Sequence, residues 1–176
     1  TTAALTLLPP ADAAAAPRVR GTVTLDAVQH APSGLAVASL HLPLDLRVPL
    51  SGDLPSGDLE VALRGVAQGA NRLDTVRLAL SAERAGARLL VRGPLAVEGV
   101  RLDGGVRLGR AAAAINATVD PARREGGFDL TLDAADLRVG DATSVRRVRA
   151  TARLPYGRLG GATRIAADIR AHDLRQ

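Results

Sequence analysis

The chain has 176 residues with a formal charge of +5; its 23 basic residues are all Arg, against 18 acidic ones, and Cys, Met and Trp are absent beside a single Phe and a single Tyr. No cysteine means no disulfide framework, no thiolate zinc site and no Cys nucleophile, and three scattered His residues do not make a metal site. A hydrophobic content of 47% excludes a disordered charged chain, and the length suits one domain or part of a larger one. Because the chain lacks Met, Thr1 is expected to be a cut point in a longer polypeptide.

The positive charge does not point to nucleic acid. Acidic residues are interspersed with the Arg, no four basic residues run together, and no aromatic pair is present to stack bases. No stretch of about 20 apolar residues offers a membrane-spanning helix. The apolar content is nearly all Leu, Val and Ala, a smooth surface without aromatic anchors.

In chain order, residues 1–17 are Ala, Leu, Thr and Pro, broken by Pro9, Pro10 and Pro17, and are expected to be a linker or a poorly structured segment, a short helix at most. From Arg18 the dominant period is two. Val19, Gly21, Val23, Leu25 and Ala27 alternate with Arg18, Arg20, Thr22, Thr24 and Asp26, the pattern of a half-buried strand. Leu40, Leu42, Leu44, Leu46, Val48 and Leu50 repeat it, and Pro43 and Pro49 place that strand at an edge or interrupt its pairing. After the Ser51-Gly52-Asp53 and Pro55-Ser56-Gly57-Asp58 turns come Leu59, Val61 and Leu63, then Val76, Leu78 and Leu80.

Leu89 and Val91 are separated from Leu95 and Val97 by a Gly93-Pro94 break, and Val100 and Leu102 form a hairpin with Val106 and Leu108 about Asp103-Gly104-Gly105. Ile115, Ala117 and Val119 precede a polar loop from Asp120 to Gly127. Phe128, Leu130, Leu132 and Ala134 follow it, then Val148, Ala150, Ala152 and Leu154, and finally Ile165, Ala167 and Ile169. Asn71 to Leu90 also fits a helical stripe with Asn71 and Asp74 as a cap; the alternation of Val76, Leu78 and Leu80 and the Ala85-Gly86 turn favour strands.

The expectation is an all-β fold of about ten amphipathic antiparallel strands, residues 18–176 forming one extended, curled sheet, an open groove. Its apolar face is either covered by a second sheet as a dry core or left open for a ligand. An outer-membrane barrel is disfavoured because two aromatics cannot supply its girdles.

The strings Gly21-Thr22-Val23-Thr24-Leu25-Asp26, Gly127-Phe128-Asp129-Leu130-Thr131-Leu132-Asp133-Ala134 and Arg149-Ala150-Thr151-Ala152-Arg153-Leu154-Pro155-Tyr156 resemble the AsmA-like envelope proteins. These include the TamB and YdbH branches, the latter also labelled "dicarboxylate transport" domains. The resemblance implies a lipid-conducting segment without enzymatic activity or cofactor, in the periplasm of a Gram-negative envelope. It implies phospholipid acyl chains as ligands, both membranes and neighbouring segments of the same longer chain as partners, and an inner-membrane anchor elsewhere. Under it the groove would be lined by Leu42, Leu44, Leu46, Val48, Leu59, Val61, Leu63, Leu78, Leu80, Leu130, Leu132, Ile165 and Ile169. The alternative is a structural or adhesive β-repeat with those residues in a packed core.

Other constellations carry less. Asp129, Asp133, Asp136 and Asp141 do not have the spacing of a calcium loop. His30 and His41 lack triad partners, no Gly-x-Ser-x-Gly elbow occurs, and the Gly104-Gly105 and Gly160-Gly161 pairs read as turns. Asn116-Ala117-Thr118 matches a glycosylation acceptor formally, and carries no weight under the bacterial reading that the resemblance implies.

Overall fold

The computed structural model describes residues 2–8, 16–49, 54–141, 143–158 and 165–175. They form one open antiparallel sheet, not closed into a barrel, in the order β1 (Thr2–Leu8), β2 (Arg18–His30), β3 (Leu35–Arg47), β4 (Ser56–Gln68), β5 (Asn71–Ala85), β6 (Arg88–Leu102), β7 (Val106–Asp120), β8 (Glu125–Val139), β9 (Thr143–Arg158) and β10 (Ala166–Arg175). Each strand pairs with its sequence neighbours, and one short 3-10 turn, Ala31–Ser33, joins β2 to β3. The period-two pattern therefore identifies the fold class. Leu50, Ser51-Gly52-Asp53 and Gly160-Gly161 lie outside the described residues.

Several local expectations are corrected. Thr2–Leu8 is a strand in register with β2, not an unstructured lead-in, since Ala3, Leu5 and Leu7 continue the alternation opposite Val23, Gly21 and Val19. β3 lies inside the sheet, and its strand ends at Arg47, before Val48. Pro43 interrupts pairing instead of marking an edge: the β3–β4 ladder lacks pairs at Leu42 and Pro43, as a missing N–H dictates. Gly93-Pro94 likewise interrupts the β5–β6 ladder but does not break β6. Asn71 to Leu90 is strand, turn, strand, and the Asn71 amide oxygen, instead of capping a helix, accepts the Asp103 N–H at 2.8 Å. The β7–β8 loop shortens to residues 121–124.

The ladders set the side chains in transverse rows. One runs Leu25, Leu40, Leu63, Val76, Val97, Ala111, Ala134, Val148, Ala171 across nine strands. Another runs Val28, Val37, Val66, Leu73, Val100, Leu108, Leu137, Val145, Leu174. Between these two apolar rows each strand has two residues instead of one, so the alternation slips by one in every strand.

At that level all eight ladders lack a pair, and every second strand carries a left-handed residue: Ala27 (φ 53°), Gly65 (60°), Gly99 (67°), Asp136 (60°) and Asp173 (57°). Ala27 thus leaves the face it was expected to share with Leu25. Gly, and less readily Asp, adopt this conformation at low cost, and the slip works as a bulge does, kinking each strand at the same height. The result is a crease crossing the sheet from β2 to β10.

At Gly99 the crease has no room for a side chain, because a Cβ there would sit 2.0 Å from Asp74 Oδ2. Gly99→Ala is therefore expected to lower stability by roughly 1–3 kcal/mol in urea unfolding. Combining it with Asp74→Ala, which removes the two closest contacts but leaves the Asp74 Cβ at 2.7 Å and the positive φ, should restore part of that loss; a double variant no more stable than Gly99→Ala would show that the carboxylate's close approach is irrelevant.

Candidate functional site

The apolar face is built row by row. Leu44, Leu59 and Leu80 stand opposite one another on β3, β4 and β5. Val61, Leu78, Leu95, Ala113, Leu132, Ala150 and Ile169 form the adjoining row, and a third runs from Leu7 and Val19 through Leu46 to Phe128 and Leu154. Cross-strand neighbours share a face. The register thus brings Leu42, Leu44, Leu46, Leu59, Val61, Leu63, Leu78, Leu80, Leu130, Leu132 and Ile169 onto one surface. Val48 lies beyond β3, held by its N–H to the Pro17 carbonyl at 2.9 Å, and Ile165 precedes β10.

None of these thirteen side chains is fully buried: ten are half-buried, and Val48, Ile165 and Ile169 are 37%, 58% and 72% exposed. Strands make substantial contact only with their sequence neighbours, so no second layer covers the face among the described residues. The buried apolar residues there are just Leu89, Ala113, Ala134 and Val145. Five rows across eight or nine strands cover a footprint on the order of 1,000 Å² from the usual strand and residue spacings.

The measurable concavities open on the opposite face. One of about 640 Å³ follows the row Gly21, Leu44, Leu59, Leu80 and Gly93, which contributes to its lining, between the flanking alternates Arg20, Asp45, Asp58, Ser81 and Arg92 on one side and Thr22, Pro43, Glu60, Ala79 and Pro94 on the other. A second of about 840 Å³ lies over β6 to β10 beside the crease, between Glu98, Arg110, Asp133, Asp136, Arg147 and His172. Near the other end Arg88 of β6 reaches over β7 and β8 to lie 4.7 Å from the ring centre of Tyr156 on β9.

Two carboxylates pin this polar face. Asp45 accepts from Arg18 through both oxygens and from Arg20 at 2.6 and 2.8 Å. Asp133 accepts from Arg147 at 2.6 and 2.7 Å and more loosely from Arg149. Each is an Asp gripped by an Arg-Val-Arg of the next strand, Arg18-Val19-Arg20 and Arg147-Val148-Arg149, in which the middle Val belongs to the apolar rows. The sequence contains this signal as a repeated tripeptide, and single-strand reading passes it over as a solvated face. Hydrogen bonds from Arg18 hold Asp45, and from Arg147 hold Asp133, below the ordinary 3.8, to about 2. Asp129 pairs with Arg153 at 3.2 Å. No group of three or more acidic or His side chains among the described residues is arranged to hold a metal ion.

The chain matches no protein-family model, no curated protein and no solved structure.

A carboxylate whose folded pKa is depressed stabilises the fold above its unfolded pKa and loses that contribution as pH falls toward the folded value. Unfolding midpoints in urea should therefore drop between pH 4 and 2. Asp45→Asn/Asp133→Asn should be less stable than the parent at pH 7 and nearly equal to it at pH 2; a constant difference across that range would exclude the clamps as its source.

Proposed function

We propose that this chain is a lipid-binding, lipid-conducting β-sheet segment of a longer bacterial envelope protein of the AsmA-like type, a non-enzymatic periplasmic element that passes phospholipids between inner and outer membranes. The observation that carries this reading is the uncovered apolar face, since exposed apolar patches beyond several hundred Å² are rare on soluble monomers unless they bind something.

The face suits acyl chains in composition and direction. A row of nine strands extends about 38 Å at the usual strand spacing, longer than one acyl chain, and each CH₂ taken from water contributes about 0.8 kcal/mol. Side chains along a row are mostly aliphatic: Leu and Val dominate β3 to β6, and on β7 to β9 the shorter Ala111, Ala113, Ala134, Ala150 and Ala152, which leave more depth above the backbone, are interspersed with Leu130, Leu132 and Val148. The aromatic Phe128 lies near the end of one row, and along the other rows, which have no rigid aromatic plate to lock one position, a chain can shift from strand to strand while it stays out of water. The head group remains at the sheet margin.

Phospholipid should therefore co-purify with the chain and be recovered by solvent extraction and mass spectrometry. Leu44→Asp, on a half-exposed face with no layer above it, is expected to keep the circular dichroism of the parent and to lose most bound lipid and transfer between vesicles. Absence of lipid from the parent, or unfolding of Leu44→Asp, would instead favour a dry surface packed against another layer, where an unpaired charge is costly.

A further inference from the structure

We infer that the crease-side margin of the sheet docks on an anionic lipid bilayer through a ladder of arginines. This goes beyond the transport reading, since it holds whether or not the apolar face carries lipid. Arg72, Arg101, Arg107 and Arg138 are directly opposite one another on β5, β6, β7 and β8. Three strand spacings put the four guanidinium stems within about 14 Å of margin. On the other polar rows arginines stand opposite carboxylates or neutral residues, as Arg20 does opposite Asp45, or meet a second arginine only in the isolated pairs Arg18–Arg47 and Arg149–Arg170, where Asp45 and Asp133 lie alongside.

Like charges directly opposite each other oppose pairing, so an uninterrupted ladder is a local cost that a bound anion relieves. The nearby acids do little of this. Asp74 reaches Arg101 at only 3.5 Å, and Asp103 is engaged by the N–H of Gly104 in its own turn. Arg72 donates to the carbonyls of Gly69 and Asn71. Arg107 and Arg138 have no ion-pair partner among the described residues, although Asp136 lies two residues from Arg138 and Asp141 in the next turn.

The second observation is apolar. One residue outward from the ladder, Leu102, Val106 and Val139 pair across β6, β7 and β8, and Leu102 and Val139 are 48% and 46% exposed. A margin with arginines on one face and exposed aliphatic side chains on the other matches a bilayer interface: lipid phosphates meet the guanidinium groups and the aliphatic groups enter the acyl boundary. It matches a nucleic acid less well, because no aromatic ring stands near the ladder to stack a base. Phe128 and Tyr156 both sit toward the opposite ends of their strands.

The test is sedimentation of the full 176-residue chain with vesicles of phosphatidylcholine alone or with about one third phosphatidylglycerol. The parent should bind the anionic vesicles selectively, and more weakly as salt rises. Arg107→Gln/Arg138→Gln should lower that affinity about 30-fold, taking each interfacial arginine at its usual contribution. Arg64→Gln/Arg77→Gln, with the same net charge but away from the ladder, should bind like the parent. Circular dichroism of both variants should match the parent, and lipid co-purifying with Arg107→Gln/Arg138→Gln should be unchanged, which separates this margin from the apolar face. Equal binding by the ladder variant, equal loss in the control variant, equal binding to neutral vesicles, or displacement from vesicles by a stoichiometric oligonucleotide would each overturn the assignment.

Discussion

In-register pairing of each strand with its sequence neighbour is the constraint on which the rest of this molecule depends. Only a handful of side chains are buried and no second layer stacks on the sheet, so the interior packing that orders most domains is nearly missing among the described residues. Order comes from backbone ladders and from side chains touching along transverse rows. Each ladder fixes its register to one residue, because a slip by one would turn every apolar side chain of that strand to the polar face. The consecutive hairpin order keeps all of these pairings local, which favours their formation despite the thin structure.

Register in turn explains two devices that otherwise look unrelated. The Arg-Val-Arg tripeptides grip an Asp across the strand while the central Val completes an apolar row, so one short segment locks the polar side and fills the apolar side together. The crease works along the strand. One additional position is taken up in each strand at a shared height, by a left-handed residue in every second strand, and the apolar pattern resumes beyond it in step across nine strands. Had one strand lacked the slip, its row beyond that height would oppose charged residues of its neighbours.

The two faces then divide the chemistry. The apolar one is broad, mostly aliphatic and uncovered, and the Ala interspersed on β7 to β9 vary its depth without changing its character. The polar one holds the concavities and the ion pairs, and its margin beyond the crease gathers four arginines whose carboxylate neighbours are few or otherwise engaged. The Arg-only basicity of the chain is thus uneven in space: much of it is clamped against Asp, and a small part is concentrated along one line.

How much of this was legible beforehand follows from the reach of each signal. Period-two alternation is a property of single strands, so Leu42 to Leu46, Val76 to Leu80 and Val148 to Leu154 disclosed the fold class and which residues share a face. Turn chemistry disclosed Ala85-Gly86 and Asp103-Gly104-Gly105, since glycine supplies the positive φ that those turns use. The strand at Thr2–Leu8 shows the same alternation but was masked by the flanking prolines, and Pro43 left an edge and an interrupted ladder both open, because a missing N–H is tolerated by a local gap as well as by a boundary; the interruption is what the β3–β4 ladder has. The phase slip is written in each strand, yet it becomes a crease only when nine strands align. What only the tertiary structure decided is cross-strand adjacency. Arg72, Arg101, Arg107 and Arg138 are distant along the chain, and backbone hydrogen bonds alone set them side by side, just as the absence of a second layer, which no pattern within a strand encodes, leaves the apolar face open.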